Sequence, residues 1–159
     1  MEYQILPLAR CPEHAEGVAE RIYKLWGHLI HADTGMSLLE FTGVIRGRAV
    51  EDRVPLTLIA LVDDKLIGTV SLKEREDTTA EGISPWVGGL VVDHGWRAKG
   101  IGAALLARAE AAASRLGFPC LYLSCEPKVE HFYAQAGWEI MVRTTSCGDE
   151  VAVMRKRLA

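Results

Sequence analysis

The apolar positions change their period along the chain, and each change marks an element. Tyr3–Ala9 (YQILPLA) reads as a first strand. From Pro12 to about Ile30, Val18, Ile22, Leu25, Trp26 and Leu29 recur at helical spacing, which predicts a helix; HADTG, from His31, breaks it into a loop. A shorter helix follows from Ser37 to about Arg48, with Ser37 as its cap and Leu38, Leu39, Phe41, Val44 and Ile45 on its apolar side. Beyond Pro55, two β-rich runs in LTLIALVDDKLIGTVSLKE flank Asp63-Asp64-Lys65, which predicts an antiparallel hairpin. After the polar connection REDTTAEGISP, the run WVGGLVVD is near-continuously apolar, as a strand buried on both faces would be. A helix from Gly100 to Leu116 places Ile101, Leu105, Ala109, Ala112 and Leu116 on one face and ends at Gly117 and Pro119. CLYLSCE is a fifth strand, KVEHFYAQAG a short helix stopped by Gly137, and WEIMVRTT and EVAVMRKRL two last strands joined by SCGD. This order predicts a mixed α/β fold spanning 1–159 as a single domain, with one strand–helix–strand crossover inside a mainly antiparallel sheet.

Composition narrows the classes. A chain of 159 residues, 49% apolar and 25% charged, is long enough for one globular core. The net charge of -3 gives no general attraction to nucleic acid or to an anionic membrane, so neither is expected as a partner. No apolar run is long enough to span a bilayer, and the first residues lack a basic start followed by an apolar stretch. The four cysteines form no CxxC pair and no dense secreted pattern, so the expectation is reduced thiols in a cytoplasm. Cysteines and histidines do not fall at metal-ligand spacing, and no metal is expected.

The chemistry concentrates in VVDHGWRAKGIGAALLARAE, from Val91 to Glu110. A strand that enters a helix through glycines lets main-chain N–H groups converge on one point, where the helix dipole adds partial positive charge. Arg97 and Lys99 add full charges, and Gly100 and Gly102 allow close approach to the backbone. Two readings stand: an anion site suited to a pyrophosphate, or a plain helix cap beside two solvated cations. The phosphate loop GxxxxGK[ST] is not present. The dinucleotide fingerprint fails too: Leu105 sits at its third glycine, Asp93 to Lys99 separate strand from glycines, and no second set of parallel β/α units follows.

The spacing Arg97-x-x-Gly100-x-Gly102 after an apolar strand resembles the acetyl-CoA loop [QR]-x-x-G-x-[GA] of the GNAT superfamily of N-acetyltransferases. A second motif lies where that family has one: HFYAQAGWE matches Y-x-x-x-G-[FWY] at Tyr133, Gly137 and Trp138. The resemblance covers nearly the whole chain. It implies a central sheet of six to seven strands flanked by about four helices, with the fourth and fifth strands splayed. It also implies acetyl-CoA as cosubstrate and direct acetyl transfer to a primary amine on a small molecule or peptide, and it leaves room for a homodimer. A non-catalytic acyl-CoA sensor on the same fold is the rival class.

Residue by residue, the resemblance puts the pyrophosphate on the amides of Ala98, Lys99, Gly100, Ile101, Gly102 and Ala103, beside Arg97. The pantetheine arm would bond the backbone at Leu90, Val91 and Val92. Gly88-Gly89 would suit a bulge there, or the close packing of a neighbouring backbone. The oxyanion would meet an amide near Leu90. Tyr133 matches the tyrosine that protonates the leaving thiolate; it also reads as a core aromatic beside Phe132 and Trp138. The family's fourth-strand glutamate, the amine's base in some members, is replaced here by Trp86. Glu126, Glu81 or a water chain remain, and either acid also reads as a solvated surface charge. Cys125 reads as a buried thiol or an acyl carrier, and His131 as a solvated side chain. For the acceptor, Trp86 at the mouth of the fourth strand, Trp26 on the first helix and Asp33 in the HADTG loop are the candidates; Trp26 equally suits the core and Asp33 a turn.

Overall fold

A computed structural model describes residues 2–75, 82–146 and 148–158. Its strands are β1 (Gln4–Pro7), β2 (Leu56–Val62), β3 (Lys65–Lys73), β4 (Trp86–Val92), β5 (Cys120–Cys125), β6 (Glu139–Ser146) and β7 (Asp149–Arg157). Its α-helices are α1 (Ala15–Thr34), α2 (Leu38–Gly47), α3 (Ile101–Arg115) and α4 (Glu130–Gln135). The strands form one seven-stranded sheet in the order β1-β2-β3-β4-β5-β7-β6. All neighbours are antiparallel except β4 and β5, which are joined through the crossover helix α3. The mixed α/β class and the mainly antiparallel sheet are as expected.

Local chemistry accounts for the boundaries. Asp63 and Asp64 take φ 48° and 64°, the left-handed pair that a two-residue hairpin between β2 and β3 requires. Ser37 and Glu40 close a reciprocal capping box on α2: each side chain bonds the other residue's backbone N–H. The first helix differs from the expectation. HADT does not break it, because His31, Ala32, Asp33 and Thr34 are all compatible with a last helical turn. The stop is Gly35, at φ 73°, whose N–H returns to the His31 carbonyl at 2.8 Å. Asp33 therefore stands on the exposed last turn of α1 rather than in a loop.

Two cores sit on opposite faces of the sheet. One joins Leu58, Val70, Leu72 and Leu123 to Ile101, Leu105 and Ala109 of α3. The other joins Ile59, Leu61 and Leu66 to Val18 and Ile22 of α1 and Phe41 and Ile45 of α2. Alternate residues of β2 and β3 supply the two faces, as the period of a strand dictates.

Candidate active site

The sheet opens at its centre. β4 and β5 are in register at one position only, Trp86 opposite Tyr122, supported by the Tyr122 N–H bonding the Pro85 carbonyl at 3.1 Å. Beyond that point β4 has no β5 partner, so the backbone groups of residues 87 to 91 that face away from β3 present an edge without strand pairing inside the molecule. This is the splay the resemblance implied. On the other side of β4, Ser71 faces Gly88 and Thr69 faces Val91, so Gly89 and Leu90 together oppose Val70 alone. That is a β-bulge, and Gly89 carries it at φ 61°. A Cβ on Gly89 would lie 3.0 Å from Ile22 Cδ1 of α1. Of the two alternatives, the bulge is what Gly89 serves; the atoms that a Cβ there would meet within 4 Å are side-chain atoms of Ile22 and Ser71, not a neighbouring backbone.

After β4 the chain passes through a 3-10 turn, His94–Trp96, and a loop into α3. Ala98 at φ 60° and Gly100 at φ 82° turn the backbone through left-handed conformations. Gly100 is the cap residue of α3, and no side chain accepts from the first-turn N–H groups. Gly100, having no side chain, leaves the first-turn N–H groups of α3 without the side-chain cap that Ser37 gives α2. Nothing lies within 4 Å of a Cβ added at Gly100, so the loop faces open space. Arg97, Ala98, Lys99 and Gly100 are exposed. Arg97 does not swing free: its Nε donates to the Val92 carbonyl at 2.9 Å and pins the loop to the end of β4.

The second motif folds against the first. A Cβ on Gly102 would touch Phe132 Cζ at 3.6 Å and Val92 Cγ2 at 3.8 Å, so α4 lies beside the start of α3. Tyr133 is half-buried, edge-on to Phe132 (centroids 5.0 Å apart) and to Trp138 (6.3 Å). Its hydroxyl makes no hydrogen bond among the described residues. Burial, reinforced by nearby Cys125, pushes its pKa up to about 12. Trp138 is 3% exposed and donates from Nε1 to Glu110, which also holds Lys156. Cys125 is buried, 3.7 Å from Met154 Sδ, and burial followed by the charge of Glu130 raises its thiol to about 11. Such a thiol stays protonated and is a poor acyl carrier.

The remaining candidates are dispersed. Glu126 ends β5, exposed and paired with Lys128 at 3.1 Å; Glu81 lies outside the described residues. Trp86 does not open onto a channel. It is 1% exposed, donates from Nε1 to the Ile83 carbonyl at 2.7 Å and packs on Tyr122 with centroids 5.7 Å apart. A bulky indole at the vertex where two strands part fills that vertex, which is why it is not at a mouth. Trp26 is partly buried against the α1–α2 core, and Asp33 is exposed. The sequence reading missed the left-handed Ala98, for which alanine gives no signal, and the bidentate pair between Arg21 and Asp93. Among the described residues no helix is long and apolar enough to cross a membrane, and no cluster of three metal-ligating side chains occurs.

Comparison with known proteins agrees with this geometry. An aminoglycoside 6'-N-acetyltransferase complexed with coenzyme A superposes with a TM-score of 0.74 at 15% identity, covering 97% of this chain and 96% of that one. The structure of yncA from Salmonella typhimurium with its cofactor acetyl-CoA gives 0.74 at 15% identity, over 99% and 94%. An acetyltransferase of the GNAT family from Streptococcus pneumoniae gives 0.64 at 17% identity, over 99% and 100%. At such identities these likenesses concern the fold. The search of curated proteins found no match. The sequence profile of the Acetyltransferase (GNAT) family matches residues 20–138, and the chain belongs to that family.

Proposed function

We propose that this acetyltransferase transfers an acetyl group from acetyl-CoA directly to a primary amine, in the opening between β4 and β5. The observation that carries the reading is the loss of β4–β5 pairing after Trp86, coincident with the Gly89 bulge and flanked by the uncapped start of α3. An unpaired strand edge suits an extended amide-bearing arm, which adds to it as a further strand would. Leu90, Val91 and Val92 offer that edge. The amides of Ala98, Lys99, Gly100, Ile101, Gly102 and Ala103, with the helix dipole behind them, suit a diphosphate; Arg97 and Lys99 add charge.

Acetyl-CoA supplies an activated thioester carbonyl. The backbone N–H near Leu90 is the donor for the carbonyl oxygen as it gains charge, since the bulge takes that segment out of regular pairing with β3. Tyr133 donates to the departing sulfur. Its value of about 12 would look too high for a thiol, whose ordinary pKa is about 8.5. Tyr133 stays protonated at neutral pH, and a thiolate leaving into its partly buried surroundings would be desolvated, which raises the basicity of the sulfur and favours taking the phenol's proton. Glu126, at the open end of β5, is the candidate to receive the amine's proton. Trp26 and Asp33, toward the later turns of α1, remain candidates for contact with the acceptor; Trp86, enclosed at the vertex, is assigned a packing role instead.

The test combines free-thiol release from acetyl-CoA over a panel of primary amines with calorimetric binding of acetyl-CoA. Wild type is expected to bind and to turn over at least one amine. Gly100→Trp fills the open space in front of the α3 amides and is expected to lose binding. Unchanged affinity in that variant would overturn the loop assignment, and binding without turnover of any amine would overturn the transferase reading in favour of a sensor.

A further inference from the structure

One guanidinium joins α1 to the point where β4 becomes the loop. Arg21 Nε donates to Asp93 Oδ1 at 2.8 Å and Nη2 to Oδ2 at 2.9 Å, a bidentate pair in which the side chains are only 25% and 28% exposed. Nη2 also donates to the Leu66 carbonyl at 3.0 Å, and Nη1 to the Gly17 carbonyl at 2.9 Å. The four contacts fix the guanidinium to its own helix, to β3 and to Asp93 at once. Asp93 is the pivot of the chain there: its N–H bonds the Ile67 carbonyl at 2.8 Å, and its carbonyl accepts from Trp96 N–H at 2.8 Å to start the 3-10 turn. The next residue of α1, Ile22, is the one that abuts Gly89 in the bulge. A single turn of α1 therefore touches both the bulge and the root of the loop.

We propose that Arg21 is a positioning residue: through Asp93 it sets the direction in which the loop 94–100 leaves β4, and hence the aim of the α3 amides at the diphosphate. The proposal rests on the loop reading given above. Asp93 without its partner is a half-buried carboxylate that turns to water and takes the turn with it, and planar two-point pairing is what a lysine cannot reproduce. Arg97 holds the loop to Val92 from the far side, so loss of Arg21 loosens the root without unfolding the loop.

The experiment measures acetyl-CoA affinity by calorimetry and amide hydrogen exchange across the chain, for Arg21→Ala, Asp93→Ala, the double variant and Arg21→Lys. Each single alanine variant is expected to weaken binding about tenfold, or roughly 1.4 kcal/mol. The double variant is expected to be no worse than either single one, and Arg21→Lys to fall between wild type and Arg21→Ala. Exchange at residues 94–102 is expected to accelerate while the β2 and β3 amides stay as in wild type. Additive losses, affinity within twofold of wild type, or acceleration spread evenly over the sheet would overturn the proposal. Should Arg21→Ala fail to fold, Arg21→Lys and Asp93→Asn make the same comparison. If Gly100→Trp binds acetyl-CoA normally, the loop reading has failed on its own, and exchange at 94–102 still decides whether Arg21 holds the loop.

Discussion

Replacing Gly89 by alanine tests whether the bulge is a structural necessity and a catalytic one. At φ 61° a residue with a Cβ incurs about 1–2 kcal/mol of left-handed strain. The new methyl also meets Ile22 Cδ1 at 3.0 Å, but that atom ends a flexible side chain and gives way by a few tenths of an ångström. The torsional term therefore dominates, and the net loss is about 1–2 kcal/mol. For a domain of this size each kcal/mol lowers Tm by about 2–4 °C, so the expected drop is roughly 2–8 °C. Activity should suffer more than stability. Relaxing the bulge returns Gly89 and Leu90 toward regular pairing and turns the Leu90 amide away from the reacting carbonyl; one such donor is worth about 100-fold in kcat. Thermal unfolding and steady-state kinetics of Gly89→Ala give both numbers. Ile22→Val, which deletes Cδ1, should recover only a minor part of the lost stability in the double variant. A Gly89→Ala protein with wild-type Tm and kcat would refute the reasoning. Full rescue by Ile22→Val would show that contact, rather than backbone conformation, is what the glycine serves.

Tyr133→Phe should lower kcat by about 100-fold, a typical general-acid contribution, with KM for acetyl-CoA nearly unchanged. Its Tm should hold or rise because the lost hydroxyl has no hydrogen-bond partner among the described residues; equal kcat would remove the acid role. In denaturant titrations, stability should fall as pH rises above about 9, because raised pKa values mean the native state holds protons that the unfolded chain releases. Cys125, raised to about 11, and Tyr133, raised to about 12, are the two groups whose burial produces this fall. Cys125→Ala should flatten the earlier part of that fall, and an unchanged slope would contradict the burial of the thiol. Glu126→Gln should lower kcat/KM about tenfold at pH 7 and hardly at all near the amine's own pKa, where neutral amine is abundant. The same ratio at both pH values would exclude Glu126 as base.

How far the sequence could be read depended on whether the deciding interaction was local. Asp63-Asp64 between two β-rich runs specifies its hairpin because the turn's φ requirements fall on those two residues. Gly88-Gly89 suggested a bulge for the same reason, since the left-handed φ a bulge needs falls on one of those two residues. The end of α1 was placed about a turn early, near Ile30, because HADT is tolerated in a helix and only the last residue of HADTG, Gly35, is the stop. Trp86 was misread because its surroundings come from Ile83 and from Tyr122 on a different strand. The Arg21–Asp93 pair joins residues 72 positions apart, and a cation in a helix looks like any other solvated charge until the fold brings its partner to it.

The position of Trp86 bears on the chemistry that remains. Where a carboxylate on β4 would stand beside the amine, this chain has an indole closed off at the vertex, so β4 contributes backbone but no base. An alkyl ammonium with a pKa near 10 costs about 4 kcal/mol to deprotonate at neutral pH. A base on a rigid strand would bear part of that cost inside the cleft. Glu126 stands instead at the exposed end of β5 with Lys128 beside it, where water reaches both. On the mechanism proposed above, with Glu126 as base, the proton would leave at the rim of the opening, and the interior would keep what acts on the thioester: the bulge amide and the Tyr133 hydroxyl. Such a division asks little of the acceptor except a reachable amine. On the same proposal it would favour amines of lower basicity over alkyl ammonium groups near neutral pH and leave selectivity among them to α1, which carries the candidates Trp26 and Asp33 and whose Arg21 pairs with Asp93 at the root of the loop.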